Sequence, residues 1–161
     1  MAITEPDAAV RRATVDDAAE LTRLRSVMFL EMGRDPSLLT PAWQRANTEH
    51  FCRRLADRDL FAAFVIDQPD GALAACAVGW LNPHLIGTHN QSGMTGYVAN
   101  MSTDPSCRRQ GYGRAALEAL LDWMRSTGIR TVDLHATADG ERIYRSLGFT
   151  EPVDTALTLR L

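Results

Sequence analysis

Two apolar runs standing almost end to end, Leu60–Asp67 and Ala72–Leu81, constrain this chain more than any other feature. Between them lies Gln68-Pro69-Asp70-Gly71. Its proline presets φ, its aspartate accepts local backbone hydrogens and its glycine tolerates a left-handed turn residue. The pair is read as an antiparallel hairpin. Upstream the period is helical. Residues 1–9 read as a leader and Val10–Ala13 as a short strand. Thr14-Val15-Asp16-Asp17 reads as a helix start, Ala18, Leu21, Leu24 and Met28 form one stripe, and Gly33 is a stop. Thr40-Pro41 opens a second helix, with Phe51 and Leu55 inward and an end near Asp57.

Downstream, the polar stretch Asn82–Gly96 reads as a long loop and Tyr97–Thr103 as a strand. A helix follows at Ala115–Thr127, with Leu117, Leu120, Leu121 and Met124 on one face and Gly128 behind it. Thr131–Ala136 is read as a strand and Asp139–Leu147 as a short helix stopped by Gly148. One or two final strands are expected from Phe149 onward, at Ala156–Arg160 in particular. Strands and helices in this order predict an α/β fold, a mixed sheet with helices on both faces. Its 161 residues are read as a single domain, 1–161, and 45% hydrophobic with 23% charged residues is enough for a real core.

Composition excludes several chemistries. All 17 cations are arginine, so lysine Schiff bases and the lysine of a nucleoside-triphosphate loop are absent. A net charge of −3 without a basic tract argues against nucleic acid as a partner. Cys52, Cys76 and Cys107 have neither disulfide-scaffold nor metal-ligand spacing, so no metal is expected and a reducing, cytoplasmic setting is. No signal peptide is read at the start, and the longest apolar run falls short of a membrane span.

The chemistry concentrates in Tyr97-Val-Ala-Asn100-Met101-Ser102-Thr103-Asp-Pro105-Ser-Cys-Arg108-Arg109-Gln110-Gly111-Tyr112-Gly113-Arg114. A strand runs into a loop with two glycines, and the loop opens a helix. Free N–H groups at the helix start and the positive end of its dipole attract anions, and arginines add charge-assisted donors. Gly111-x-Gly113-x-x-Ala116 with Asp133 also matches a dinucleotide fingerprint. That pattern, however, wants its first glycine directly at the strand end, and Asp104–Gln110 intervene.

Arg108-x-x-Gly111-x-Gly113 resembles the coenzyme loop of the GCN5-related N-acetyltransferases, Arg/Gln-x-x-Gly-x-Gly/Ala. About thirty residues on, Tyr144-Arg-Ser-Leu-Gly148-Phe149 resembles the same family's Tyr-x-x-x-Gly-Phe. The resemblance implies a central, mostly antiparallel sheet of about six or seven strands, acetyl-coenzyme A as cosubstrate, and a homodimer. It implies that Met101, Ser102 and Thr103 meet the pantetheine arm and that Arg108, Arg109, Gln110, Gly111, Tyr112, Gly113 and Arg114 hold the pyrophosphate. Tyr144 would protonate the departing thiolate, with Gly140 leaving room beside its ring. Two positions depart from the family: Thr137 stands where asparagine is frequent and Gly140 where alanine is.

The implied activity is direct transfer of an acetyl group to a primary amine of a small molecule or peptide. Only about one lysine-like amine in a few thousand is neutral at pH 7, a barrier of roughly 4–5 kcal/mol that a base or a desolvating pocket must offset. Glu31 is a candidate base and acceptor contact, and Asn100 a second acceptor contact. The oxyanion would take a backbone N–H near Asn100–Ser102. Acceptor walls are expected from Met32–Thr40 and Asn82–Gly96. Arg11-Arg12 and Arg53-Arg54 are read as solvated, and His84 and His89 likewise. The alternative is a non-catalytic coenzyme A sensor, which would keep the cradle and lack an acceptor pocket.

Overall fold

The computed structural model describes residues 9–161; the leader read at the start lies largely outside them. Five strands form one sheet in chain order: β1 (Val10–Arg12), β2 (Phe61–Asp67), β3 (Leu73–Pro83), β4 (Met94–Thr103) and β5 (Val132–Leu134). The first four are antiparallel and β5 runs parallel to β4. Helices α1 (Ala18–Glu31) and α2 (Pro41–Ala56) cover one face, α3 (Tyr112–Ser126) the other, and α4 (Glu141–Ser146) follows β5.

Local signals account for the element ends. The Thr14 N–H donates to the Asp17 carboxylate at 2.8 Å at the entry to α1, and Gly33 turns away from its end with φ 73°. Thr40 Oγ1 accepts the Trp43 N–H at 3.1 Å, with Pro41 in the first turn of α2. Leu21 and Leu24 of α1 bury against Phe51, Leu55, Val65 and Val78. Leu117, Leu120 and Met124 of α3 bury fully against Ala62, Ala77, Leu81 and Val98. Each such leucine contributes roughly 1.5–3 kcal/mol.

The sheet is smaller than expected, with five strands among the described residues rather than six or seven. Ala156–Arg160 forms none. Leu157, Leu159 and Leu161 alternate as a strand would, yet Leu157 is 90% exposed because no neighbour pairs with it. The long loop is shorter than expected too. β3 and β4 extend their pairing to Pro83↔Met94, which leaves residues 84–93 as the connection.

Candidate active site

The site starts from an irregularity in β4. Val78 pairs with Asn100 and Gly79 with Val98, so Ala99 is an extra residue, a bulge. Regular alternation would put Tyr97 and Asn100 on opposite faces. The bulge brings both to the α1–α2 face: Tyr97 stacks on Trp80 at 5.1 Å, and Asn100 Oδ1 accepts Arg25 Nη1 of α1 at 3.1 Å. Val98 and Met101 turn toward α3. β5 pairs only with Gly96, Tyr97 and Val98. From Ala99 to Thr103, β4 therefore has a partner strand on the β3 side alone, and the edge facing β5 is uncovered.

That open edge leads into the anion loop. The Asp104 N–H donates to Ala74 O at 2.7 Å and the Asp104 carboxylate takes Arg23 of α1 at 2.7 Å, which fixes the loop's entry. Arg109 (φ 60°) and Gly111 (φ 77°) both adopt left-handed backbone, the bend that backbone anion nests use. None of the backbone N–H groups from Arg109 to Arg114 donates to an acceptor among the described residues; the first such donor in α3 is Ala115, to Gly111 O at 3.0 Å. These amides, with the dipole of α3 behind them, are what an anion would meet.

Three arginines brace the loop. Arg108 pairs with Glu31 at the end of α1. Arg114 Nε donates to Glu118 at 2.9 Å and its Nη1 to Ser146 Oγ at 2.9 Å, tying α3 to α4. Arg23 makes the third tie. Gly113 matters by close approach: a Cβ there would stand 3.0 Å from Thr103 Oγ1 and 3.5 Å from Met101 Cε. Thr103 and Met101 thus stand beside α3, while the Ser102 hydroxyl is buried with no partner among the described residues.

Tyr144 sits on α4 and packs edge-on against Phe149, ring centroids 5.9 Å apart, at the border of the α3-side core. Burial pushes its hydroxyl above the ordinary tyrosine pKa, which keeps it protonated. The Gly140 position is tight here, since a Cβ would come within 3.3 Å of the Tyr144 ring.

On the α1–α2 face lies a cleft of about 660 Å³, which includes Ala99 and Asn100 at the bulge. Its walls differ from the sequence expectation. They come from α1, α2 and strands β2 to β4, with Asn82 and Pro83 as the only contribution from the segments anticipated. Arg54 is a correction to the solvated reading: its guanidinium lies over Phe61 (4.9 Å) and Trp80 (5.6 Å). His50, Arg25, Trp80 and Tyr97 were missed as well, because only the bulge and the packing of α1 and α2 on the sheet bring them together. Asn100 lines the cleft and is 1% exposed. Glu31 is not on that wall. Among the described residues, no cluster of three metal-ligating side chains occurs.

A split mixed sheet, with a left-handed glycine–arginine loop between the splayed strand and its helix, defines the acetyltransferase class of fold. The chain belongs to the acetyltransferase (GNAT) family, whose model matches residues 22–149. Among solved structures, a predicted acetyltransferase from Clostridium acetobutylicum with acetyl-CoA superposes with a TM-score of 0.83 at 24% identity, over 95% of this chain and 96% of that one. A GCN5-related N-acetyltransferase from Ralstonia eutropha JMP134 gives 0.80 at 27% identity, over 94% and 98%. The [ribosomal protein bS18]-alanine N-acetyltransferase of Escherichia coli (strain K12) is 42% identical over 55 residues, a stretch that is 32% of this chain and 37% of that enzyme.

Proposed function

We propose that this protein is an N-acetyltransferase that moves the acetyl group of acetyl-coenzyme A directly to a primary amine. One conjunction carries the reading: an uncovered strand edge at residues 99–103 running into a loop whose amides from Arg109 to Arg114 have no internal acceptor. Such an edge pairs with an amide-bearing chain as it would with another strand, and such a loop accepts a pyrophosphate. In this reading the backbone of Met101, Ser102 and Thr103 takes the pantetheine arm. The amides of Arg109, Gln110, Gly111, Tyr112, Gly113 and Arg114 take the phosphates, with the Arg108 and Arg109 side chains at the rim.

The bound cosubstrate supplies a thioester carbonyl open to attack. The amine enters from the cleft side at Ala99–Asn100, and a β4 backbone N–H at the bulge stabilises charge developing on the carbonyl oxygen. As the new C–N bond forms and the C–S bond breaks, Tyr144 gives its proton to the sulfur, the attacking nitrogen releases one proton to solvent, and the tyrosinate takes one back from solvent. Amide and free thiol are the products. Glu31 is assigned here to pairing with Arg108 and not to that proton.

The cleft favours transfer over the sensor alternative, since a module that only reports coenzyme A has no use for an acceptor pocket beside its cradle. The bS18-alanine N-acetyltransferase relative supports an amine as the acceptor class. Among the described residues, no helix is long and apolar enough to cross a membrane. A cytoplasmic setting suits the free thiols, and a homodimer rests on the family resemblance alone.

The test is calorimetry with acetyl-coenzyme A. Wild type binds, and Gly111→Asp, which puts a carboxylate and a strained side chain into the cradle, does not. No binding by wild type refutes the function, and equal binding by both refutes the site. Thiol release across an amine panel then separates enzyme from sensor.

A further inference from the structure

We propose that the cleft on the α1–α2 face selects an amine that also carries a carboxylate, in its simplest form a small amino acid with an apolar side chain. This rests on the acetyl-transfer reading above and names its acceptor class.

The guanidiniums of Arg25 and Arg54 line the cleft beside His50, and no aspartate or glutamate does. Neither guanidinium has a carboxylate partner among the described residues. Arg25 donates to the Asn100 amide oxygen and lies 4.7 Å over the Phe29 ring. Arg54 lies over Phe61 and Trp80. Arg11, Arg23, Arg108, Arg114, Arg125 and Arg145, none of them in the cleft, do have carboxylate partners. A partly buried cation held over a ring, with donors to spare and no counter-ion, is an arrangement that a carboxylate completes by bidentate hydrogen bonds. Burial already disfavours the charge on Arg25, so an arriving anion gains more there than it would in water.

Beside them the cleft has an aromatic floor. Phe61, Trp80 and Tyr97 occupy paired positions on neighbouring strands and stack in sequence, at 6.5 Å and 5.1 Å. The polar ends of the last two are spoken for, Trp80 Nε1 by Asn82 Oδ1 at 2.9 Å and the Tyr97 hydroxyl by His135 Nδ1 at 2.8 Å. Apolar ring carbon is what remains for a ligand. A polyamine or aminoglycoside would bring its positive charges against two guanidiniums. The volume of about 660 Å³ suits a small molecule.

Two readouts on one panel test this: calorimetric binding to the coenzyme A-saturated protein, and thiol release with acetyl-coenzyme A. The panel is phenylalanine, leucine, phenylalaninamide, phenethylamine, spermidine and an amide-capped peptide beginning with alanine. Phenylalanine or leucine is expected to bind and turn over at least tenfold better than the amide or amine lacking the carboxylate. Arg54→Gln and, separately, Arg25→Gln are expected to erase that margin while acetyl-coenzyme A binds as in wild type. Arg54 lies at the cleft surface, so its variant keeps the test decisive if Arg25→Gln fails to fold. Preference for spermidine, phenethylamine or the capped peptide overturns the inference and leaves acetyl transfer standing. Arginine-dependent binding of amino acids without thiol release supports the inference and overturns the transfer reading.

Discussion

Gly113 lies so close to Thr103 that a single added carbon would meet the threonine hydroxyl oxygen at 3.0 Å. The start of α3 and the end of β4 are thereby set at one distance, and the free amides of the cradle stand at the height of the open strand edge. Gly113→Val is expected to push the helix away and weaken acetyl-coenzyme A binding at least tenfold. Gly113→Ala falls between, since alanine favours the helix by about 1 kcal/mol while its Cβ crowds Thr103. Adding Thr103→Ala to Gly113→Ala restores most of the affinity, and calorimetry on the four proteins of that double-mutant cycle measures the coupling. Additive effects would show that the contact does not set the spacing.

Tyr144→Phe is expected to lower kcat about a hundredfold, in the range of general-acid loss, with the Kd for acetyl-coenzyme A unchanged. Because burial holds the hydroxyl above the ordinary tyrosine range, wild-type turnover should show no loss from this group between pH 7 and 9. Its alkaline limb lies above pH ~10. An unaltered kcat in the variant would remove Tyr144 from the reaction.

Glu31→Gln frees Arg108 from its carboxylate partner and leaves the cradle more positive. Acetyl-coenzyme A binding should tighten roughly two- to fivefold in low salt, and the gain should fade as ionic strength rises. Turnover should stay within about twofold of wild type. A fall of a hundredfold in kcat, with affinity unchanged, would restore Glu31 as the base.

Acid stability should report the Arg11 cluster. Arg11 bridges Asp17 (2.8 Å) and Asp67 (2.7 Å), and its hydrogen bonds hold both carboxyls below their ordinary pKa. Their contribution is therefore complete above pH ~4 and lost as pH falls through the lowered values. Asp17→Asn should lower Tm by roughly 3 °C at pH 7 and flatten its decline below pH ~4. Thermal unfolding from pH 3 to pH 7 checks both; parallel curves would show that the pair adds nothing.

Much of this architecture is legible in the residues because its signals are local. Thr40-Pro41 caps α2 by its own side chain, Pro69-Asp70-Gly71 turns the hairpin, and the Leu117–Met124 stripe buries as its period requires. The cradle is legible for the same reason, since Gly111 needs its left-handed backbone whatever surrounds it. What stays hidden depends on partners distant in the chain. Nothing in Val98-Ala99-Asn100 marks a bulge, which exists only relative to Val78 and Gly79. Arg54 reads as one of two exposed cations until Phe61 and Trp80 lie beneath it. Ala156–Arg160 shows the opposite case, a strand pattern with no edge to join.

The cleft wall on α2 and the cradle at the start of α3 occupy opposite sides of the sheet, with the bulged strand between them. Substitutions along α2 can therefore retune which amine is admitted while the handhold for the common donor stays as it is. A lineage built on this plan is free to diversify its customers without relearning how to grip its supply.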